Sequence, residues 1–248
     1  MTDESPNHGL DPVLGGILHA LDGVDVWVDS GTLLALRRDQ RLLSWDGDID
    51  LSCWVDDIHD LEARTDALRA LGYNVAVRRL AGVPYKLKLT PPMRRRRNGE
   101  RHVDISVYTR AGDWALSPGI FRSRPSTPVW SLRHFPGHAL REVALMTWLA
   151  TGARRNRELR WPRTSLRLFT WCVPAHFFDD RSTIDVHGVA VPSPSDVDDY
   201  LTFRYGQWRT PQKSWSYFTD DRSVLDVRPE VTLSGASLPA GADEWVTR

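Results

Sequence analysis

Lysine is nearly missing from this chain. Only Lys86, Lys88 and Lys213 occur among 248 residues, and arginine supplies the rest of the 32 basic side chains. Aspartate and glutamate also number 32, so the formal net charge is zero. A chain without a basic excess has no global field to gather nucleic acid, and no nucleic-acid partner is expected. Cysteine is scarce too. Cys53 and Cys172 are too few for a disulfide framework and match no metal-ligand spacing, so they read as two buried thiols in a reducing compartment. No apolar run approaches the ~20 residues that span a bilayer. Met1–Asp11 is polar and lacks the apolar segment of a signal peptide. The expectation is a soluble, cytoplasmic protein.

What is present suits a globular fold. Apolar residues make up 41% and charged residues 26%, ordinary values for a chain that builds a core. There are no repeats and no low-complexity linker. Residues 12–22 read as a short amphipathic helix, and Val24–Val28 as a strand by alternation and β-branching. The strand ends at Asp29-Ser30-Gly31-Thr32, followed by strong helix formers from Leu33 to Arg38. Residues 46–55 return to strand. Residues 57–71 read as one helix closed by Gly72, and three more strands follow at Tyr73–Val77, Pro84–Leu89 and His102–Tyr108. Further on, residues 138–151 look helical, and Ser195 reads as the cap of a helix carrying Val197, Tyr200, Leu201 and Arg204 on one face, stopped by Gly206. The mixture lacks a strict βαβ rhythm and predicts an α+β fold with a central mixed sheet flanked by helices. The expected organisation is a single catalytic domain over 1–225 with a helical second half, and a C-terminal tail over 226–248.

Three local patterns carry chemistry. In Ser30-Gly31-Thr32, the glycine lets a ligand approach the backbone closely, and the free amides at the start of the following helix suit phosphate. Residues of these types also cap helices without any ligand. In Asp46-Gly47-Asp48-Ile49-Asp50-Leu51, the period of a strand puts Asp48 and Asp50 on one face and Ile49 and Leu51 on the other. Adjacent carboxylates repel, and a hard divalent cation with oxygen ligands relieves the conflict. An EF-hand calcium loop is excluded, because Leu51 stands where that loop needs glycine and Asp57 where it needs glutamate. A solvated edge strand remains the rival explanation. In Val103-Asp104-Ile105-Ser106-Val107, the apolar residues alternate into the core and leave Asp104 on the opposite face. If the two strands are near one another, Asp48, Asp50 and Asp104 meet above one sheet face, the geometry of metal-assisted phosphoryl or nucleotidyl transfer.

The wording of these motifs resembles the LicD/fukutin-related family of nucleotidyltransferase-fold phosphotransferases. The resemblance rests on Asp29-Ser30-Gly31-Thr32-Leu33-Leu34, Arg37, Trp45-Asp46-Gly47-Asp48-Ile49-Asp50 and Val103-Asp104-Ile105. A closing element adds Val191-Pro192, Tyr200-Leu201, Tyr205-Gly206, Trp208 and Pro211. Ala35 and Ser106 depart from the family's usual glycine and aromatic residue. The resemblance implies transfer of a substituted phosphate, phosphocholine or a polyol phosphate, from a CDP-linked donor to a hydroxyl of a glycan or lipid-linked glycan, with CMP leaving. It implies Mg²⁺ or Mn²⁺ at Asp48, Asp50 and Asp104, with Ser30, Gly31 and Thr32 holding phosphate oxygens and Arg37 and Lys86 as charge partners. Asp46 is an additional candidate near the metal. Two rivals share the same residues: a nucleotidyltransferase moving NMP from NTP to a small-molecule hydroxyl, and a binding protein that has lost the chemistry.

Other features are weaker. Arg94–Arg97 reads as a solvated loop. The six arginines between Arg154 and Arg167 suggest an anionic acceptor or peripheral contact with a membrane. Trp208 and Trp215 are read first as core residues and second as stacking platforms for a base or sugar.

Overall fold

The computed structural model describes residues 9–80, 83–97, 100–122, 158–161, 164–212, 215 and 220–225. Helix α1 (Pro12–Ala20) starts where the Asp11 carboxylate accepts hydrogen bonds from the Val13 and Leu14 amides, with proline in the first turn. Leu14 and Ile17, and Leu21 at its end, are buried in the core. Strand β1 (Val26–Val28) runs directly into α2 (Ser30–Asp39), which buries Thr32, Leu33, Ala35 and Leu36. After β2 (Asp48–Trp54) come two short helices, α3 (Ile58–Ala63) and α4 (Thr65–Ala70), in place of the single helix expected over 57–71. The break has a local cause. The Thr65 hydroxyl donates to the Glu62 carbonyl, and such side-chain bonds compete with the helical ladder. Gly72 closes the pair at a φ of +89°, in the left-handed region expected of it.

Strands β3 (Asn74–Leu80) and β4 (Val83–Thr90) form a hairpin, and α5 (Met93–Arg97) leads to β5 (His102–Ala111) and β6 (Trp114–Arg122). The Arg94–Arg97 run is thus helical rather than a loop. Arg95 is not simply solvated: it pairs with Glu100, donates to the Leu71 carbonyl at 2.8 Å and lies over the Tyr73 ring.

The described part of the second half is mainly strand. It contains β7 (Glu158–Trp161), β8 (Thr164–Pro174), β9 (Ser182–Val186), β10 (Val189–Ser193), α6 (Val197–Tyr205) and β11 (Val224–Leu225). The helical second half expected from sequence is corrected to that extent. β-Branched and aromatic residues crowd 164–193, and β9 and β10 turn on His187-Gly188, both with positive φ, a pair that matches the twist of a hairpin. The helix expected over 138–151 and the tail over 226–248 lie outside the described residues. Ser195 is not the cap of α6. Asp196 precedes the helix, and the Ser195 hydroxyl donates instead to the His176 and Phe177 carbonyls. Gly206 ends α6 as anticipated.

Nine of the described strands make one mixed sheet. Its path is β1-β2-β5-β6-β8-β11, with β4 and β3 branching from β5 and β7 pairing with β8. Besides β2, strand β5 has two further partners along its length: Val103–Ser106 pair with β4, and Thr109–Ala111 pair with β6. The β2–β5 pair is parallel and all other pairings are antiparallel. The fold class expected from sequence, α+β with a mixed sheet flanked by helices, is the one observed. An aromatic cluster joins the two halves: Phe178 lies 4.8 Å from Trp27, 4.9 Å from Tyr108 and 5.6 Å from Tyr200, centroid to centroid. Among the described residues no helix is long and apolar enough to cross a membrane.

Candidate active site

The site grows from alternation along three neighbouring strands. On β2, Ile49, Leu51 and Cys53 are buried on the core face; on β5, Val103, Ile105 and Val107; on β4, Tyr85, Leu87 and Leu89. The opposite face therefore carries Asp48 and Asp50 on β2, Asp104 on β5, and Lys86 and Lys88 on β4. Register fixes their neighbours. Asp50 stands beside Asp104 in the parallel pair, and Lys88 stands beside Asp104 in the antiparallel one. Lys86 Nζ lies 3.0 Å from one Asp104 oxygen and Lys88 Nζ 2.9 Å from the other. Two of the chain's three lysines thus grip one carboxylate.

Helix α2 is pinned to this face at Asp50. The Thr32 hydroxyl accepts from the Asp50 amide at 2.8 Å, and the Asp29 amide donates to the Asp50 carbonyl at 3.1 Å. Gly31 lies against the carboxylates. A methyl group there would stand 3.1 Å from Asp46 Oδ2 and 3.8 Å from Asp50 Oδ2, so any larger residue would push into the acidic side chains.

The electrostatics differ sharply between neighbours. Burial pushes the Asp50 carboxyl up to about 8, with Asp104, Asp46 and Asp48 adding repulsion and Lys86 opposing it. Asp46 is raised as well, mainly by burial and then by Asp48. Burial works against Asp104 too, yet Lys86 and Lys88 outweigh it and hold that carboxyl below the usual range. A carboxyl as costly to ionise as Asp50 gains from any cation placed beside it. The chemistry of Asp46, Asp48 and Asp50 therefore fits a hard divalent ion. Asp104 has both oxygens committed to lysines, and among the described residues no three acidic, histidine or cysteine side chains converge as a ligand set.

Asp48, Asp50, Asp104 and Lys86 share one sheet face beside the start of α2, but the three carboxylates do not converge as the metal-ligand set expected from sequence. Arg37 is not among them. It lies at the far end of α2, where its Nε contacts Asp198 at 2.8 Å in a groove lined also by Asp185 and Asp199. Its helix position and its acidic partner take it away from the carboxylate face. Of the two tryptophans weighed as stacking platforms, Trp208 is buried, with its indole N–H on the Thr202 hydroxyl, and Trp215 packs 5.4 Å from Tyr205. Trp45 is the exposed ring, 76% accessible and immediately before Asp46.

Two groups escaped sequence reasoning. Lys88 was visible only as a rare lysine, one strand period from Lys86. Arg204, on a face otherwise apolar, is fully buried. Its guanidinium contacts Asp221 at 2.6 Å, Asp29 at 3.2 Å and the Ser30 hydroxyl at 2.9 Å. Asp29 also accepts from the Ser52 hydroxyl at 2.6 Å and from the Tyr200 hydroxyl. Despite burial, Asp221 and the other surrounding groups keep Arg204 charged.

Residues 23–126 match the family model described as LicD/FKTN/FKRP, nucleotidyltransferase domain. That segment is similar to the LicD-family domain. The matched segment contains β1 through β6 and every carboxylate and lysine of the polar face. Similarity to that domain points to a transferase, and in general terms to one that modifies glycans. No curated protein matches the chain. Tyr200, Arg204 and Asp221 lie beyond the matched LicD segment, yet they meet it at Asp29 and Ser30.

Proposed function

We propose that this protein transfers a substituted phosphate from a CDP-linked donor to a hydroxyl of a glycan or lipid-linked glycan, releasing CMP. The observation that carries the reading is the shared face of β2, β5 and β4, where a carboxyl disfavoured as an anion, Asp50, adjoins a carboxylate clamped by two lysines. A donor diphosphate brings negative charge to the lysines; Asp48 and Asp50, with Asp104 as the further ligand, would hold Mg²⁺ or Mn²⁺, which would supply charge neutralisation at the leaving group. Lys86 and Lys88 turn from Asp104 to the phosphate oxygens, and the amides of Gly31 and Thr32 add neutral donors. The acceptor oxygen forms a bond to the phosphorus that carries the head group. The bond from that phosphorus to the bridging oxygen breaks, and CMP departs with that oxygen. Asp104, with a cation beside it, would be a poor proton acceptor, so the hydroxyl proton passes to solvent or to the phosphate itself. Trp45 offers an exposed ring to the base. Two buried free thiols accord with a cytoplasmic location.

Incubation with Mg²⁺ and CDP-choline, CDP-ribitol or CDP-glycerol should release CMP. Incubation with nucleoside triphosphates and small-molecule hydroxyls should release no pyrophosphate. Pyrophosphate without CMP would favour the nucleotidyltransferase reading. Neither product, together with no Mg²⁺ binding by calorimetry, would favour a binding protein.

A further inference from the structure

We propose that Arg204 is a positioning residue: from inside the core it holds Ser30 in the conformation that sets the Ser30–Thr32 turn against Asp46 and Asp50. The inference deepens the proposed reaction and rests on the turn's being its phosphate-binding element.

Ser30 has a φ of +51°, in the left-handed region that non-glycine residues avoid. Such a conformation persists where its surroundings over-determine it. Around Ser30 they do. Its amide donates to Asp29 Oδ1 at 2.6 Å, and its hydroxyl accepts from Arg204 at 2.9 Å. Arg204 is itself fixed from behind by Asp221, whose other oxygen accepts from the Ser223 amide at 2.9 Å and the Ser223 hydroxyl at 2.6 Å. Asp29, Arg204, Asp221 and Ser223 are all buried, so the clamp is rigid and shielded from water. Glycine would take this φ without strain, but it would give Arg204 nothing to hold. A serine at a glycine-like position, tied by a buried guanidinium, is what a fixed turn requires. The next residue is Gly31, which abuts Asp46 and Asp50, so a rotation at Ser30 moves the turn relative to both carboxylates. The segment around Asp221 thereby acts on the site from a distance, through Arg204.

The test uses the full chain, with CDP and Mg²⁺ as the calorimetric probe. Ser30→Ala keeps the strain and removes the tie, and should weaken CDP binding about tenfold while the protein still melts cooperatively. Arg204→Lys keeps the charge but not the fork, and should weaken binding similarly. Adding Ser30→Gly to Arg204→Lys should restore part of the affinity, because glycine enters the positive-φ region unaided. A merely structural arginine gives no such restoration. Affinities within twofold of the parent for both Ser30→Ala and Arg204→Lys would overturn the proposal, and if Arg204→Lys fails to fold, Ser30→Ala decides alone. If the parent itself does not bind CDP with Mg²⁺, it is the proposed reaction that fails. The positioning claim then stands or falls on the amide resonances of Gly31 and Thr32. Arg204→Lys must shift them, and unchanged resonances would overturn it.

Discussion

Two clusters in this molecule use the same ingredients to opposite ends. On the polar face of β2, β5 and β4, Asp50, Asp104, Lys86 and Lys88 are half-buried, and one carboxyl is pushed up to about 8. Beneath it, Asp29, Arg204 and Asp221 are fully buried, and their oxygens and guanidinium nitrogens are met by Ser30, Ser52, Tyr200 and Ser223. A satisfied buried network rigidifies and has no capacity for a ligand. A partly exposed cluster with one acid held against its preference has that capacity. The comparison teaches that charge content alone does not mark a site; the mismatch between charge and environment does.

The sharpest break of this comparison is Asp50→Asn. Removing the carboxylate should lower turnover by several orders of magnitude (~10³-fold or more, the scale of losing a group that stabilises transition-state charge). The same change should raise the melting temperature without metal. The sign follows from linkage. Asp50 in the fold titrates near 8, above its unfolded value of about 3.9, so its contribution to stability falls as pH rises through that window. The stabilisation by Asp50→Asn should therefore be larger at pH 8 than at pH 5, measured by calorimetric melting of the metal-free protein.

Asp221→Asn attacks the other cluster and should have the opposite effect on stability. Taking away a partner of a fully buried ion pair costs about 3–5 kcal/mol, so denaturant melts should show a large loss of stability. An equal stability loss from Asp50→Asn and Asp221→Asn would erase the distinction between the clusters.

Lys88→Met sits between them. It should raise the donor KM about tenfold with a smaller change in kcat, because a phosphate partner is lost. It should also lower stability near neutrality and flatten its dependence on acid pH. Asp104 in the parent is held low by Lys86 and Lys88, so its contribution is full above its unfolded value and is lost as pH falls through the lower folded one. Melting curves between pH 2 and 5 should show a gentler acid loss in the variant.

These contrasts were legible from sequence only in part. Alternation placed Asp48, Asp50 and Asp104 on one face because a strand's period is two and their neighbours are β-branched and apolar. The register that sets Asp104 beside Asp50 and between two lysines depends on which strands pair, and a parallel β2–β5 pair separated by a hairpin leaves no local trace. Arg204 was hidden for a similar reason. Its burial is decided by Asp29 and Asp221, distant in the chain, while its own helix gives an arginine at an inward position no explanation. Arg37 misled because the motif near it was correct, whereas two turns of helix carry it to Asp198. The helix expected over 57–71 failed at a side-chain bond, Thr65 to Glu62, that periodicity does not register.

The smallest expected effects mark the boundary of the site. Trp45→Ala should raise the donor KM severalfold without altering stability, as expected of an exposed ring. Arg37→Gln should change both donor KM and melting temperature little, since an exposed pair such as Arg37–Asp198 is worth roughly 0–1 kcal/mol.

The central claim is that the polar face of β2, β5 and β4 breaks a CDP-linked diphosphate. Phosphorus NMR of the full chain with Mg²⁺, CDP-ribitol, CDP-glycerol or CDP-choline and a glycan acceptor follows that bond directly. With at least one donor, the account predicts loss of the diphosphate doublets, growth of CMP and of a phosphodiester signal, and none of these with Asp50→Asn. Equal conversion by the parent and Asp50→Asn, or persistence of all three donors with the parent, would contradict it.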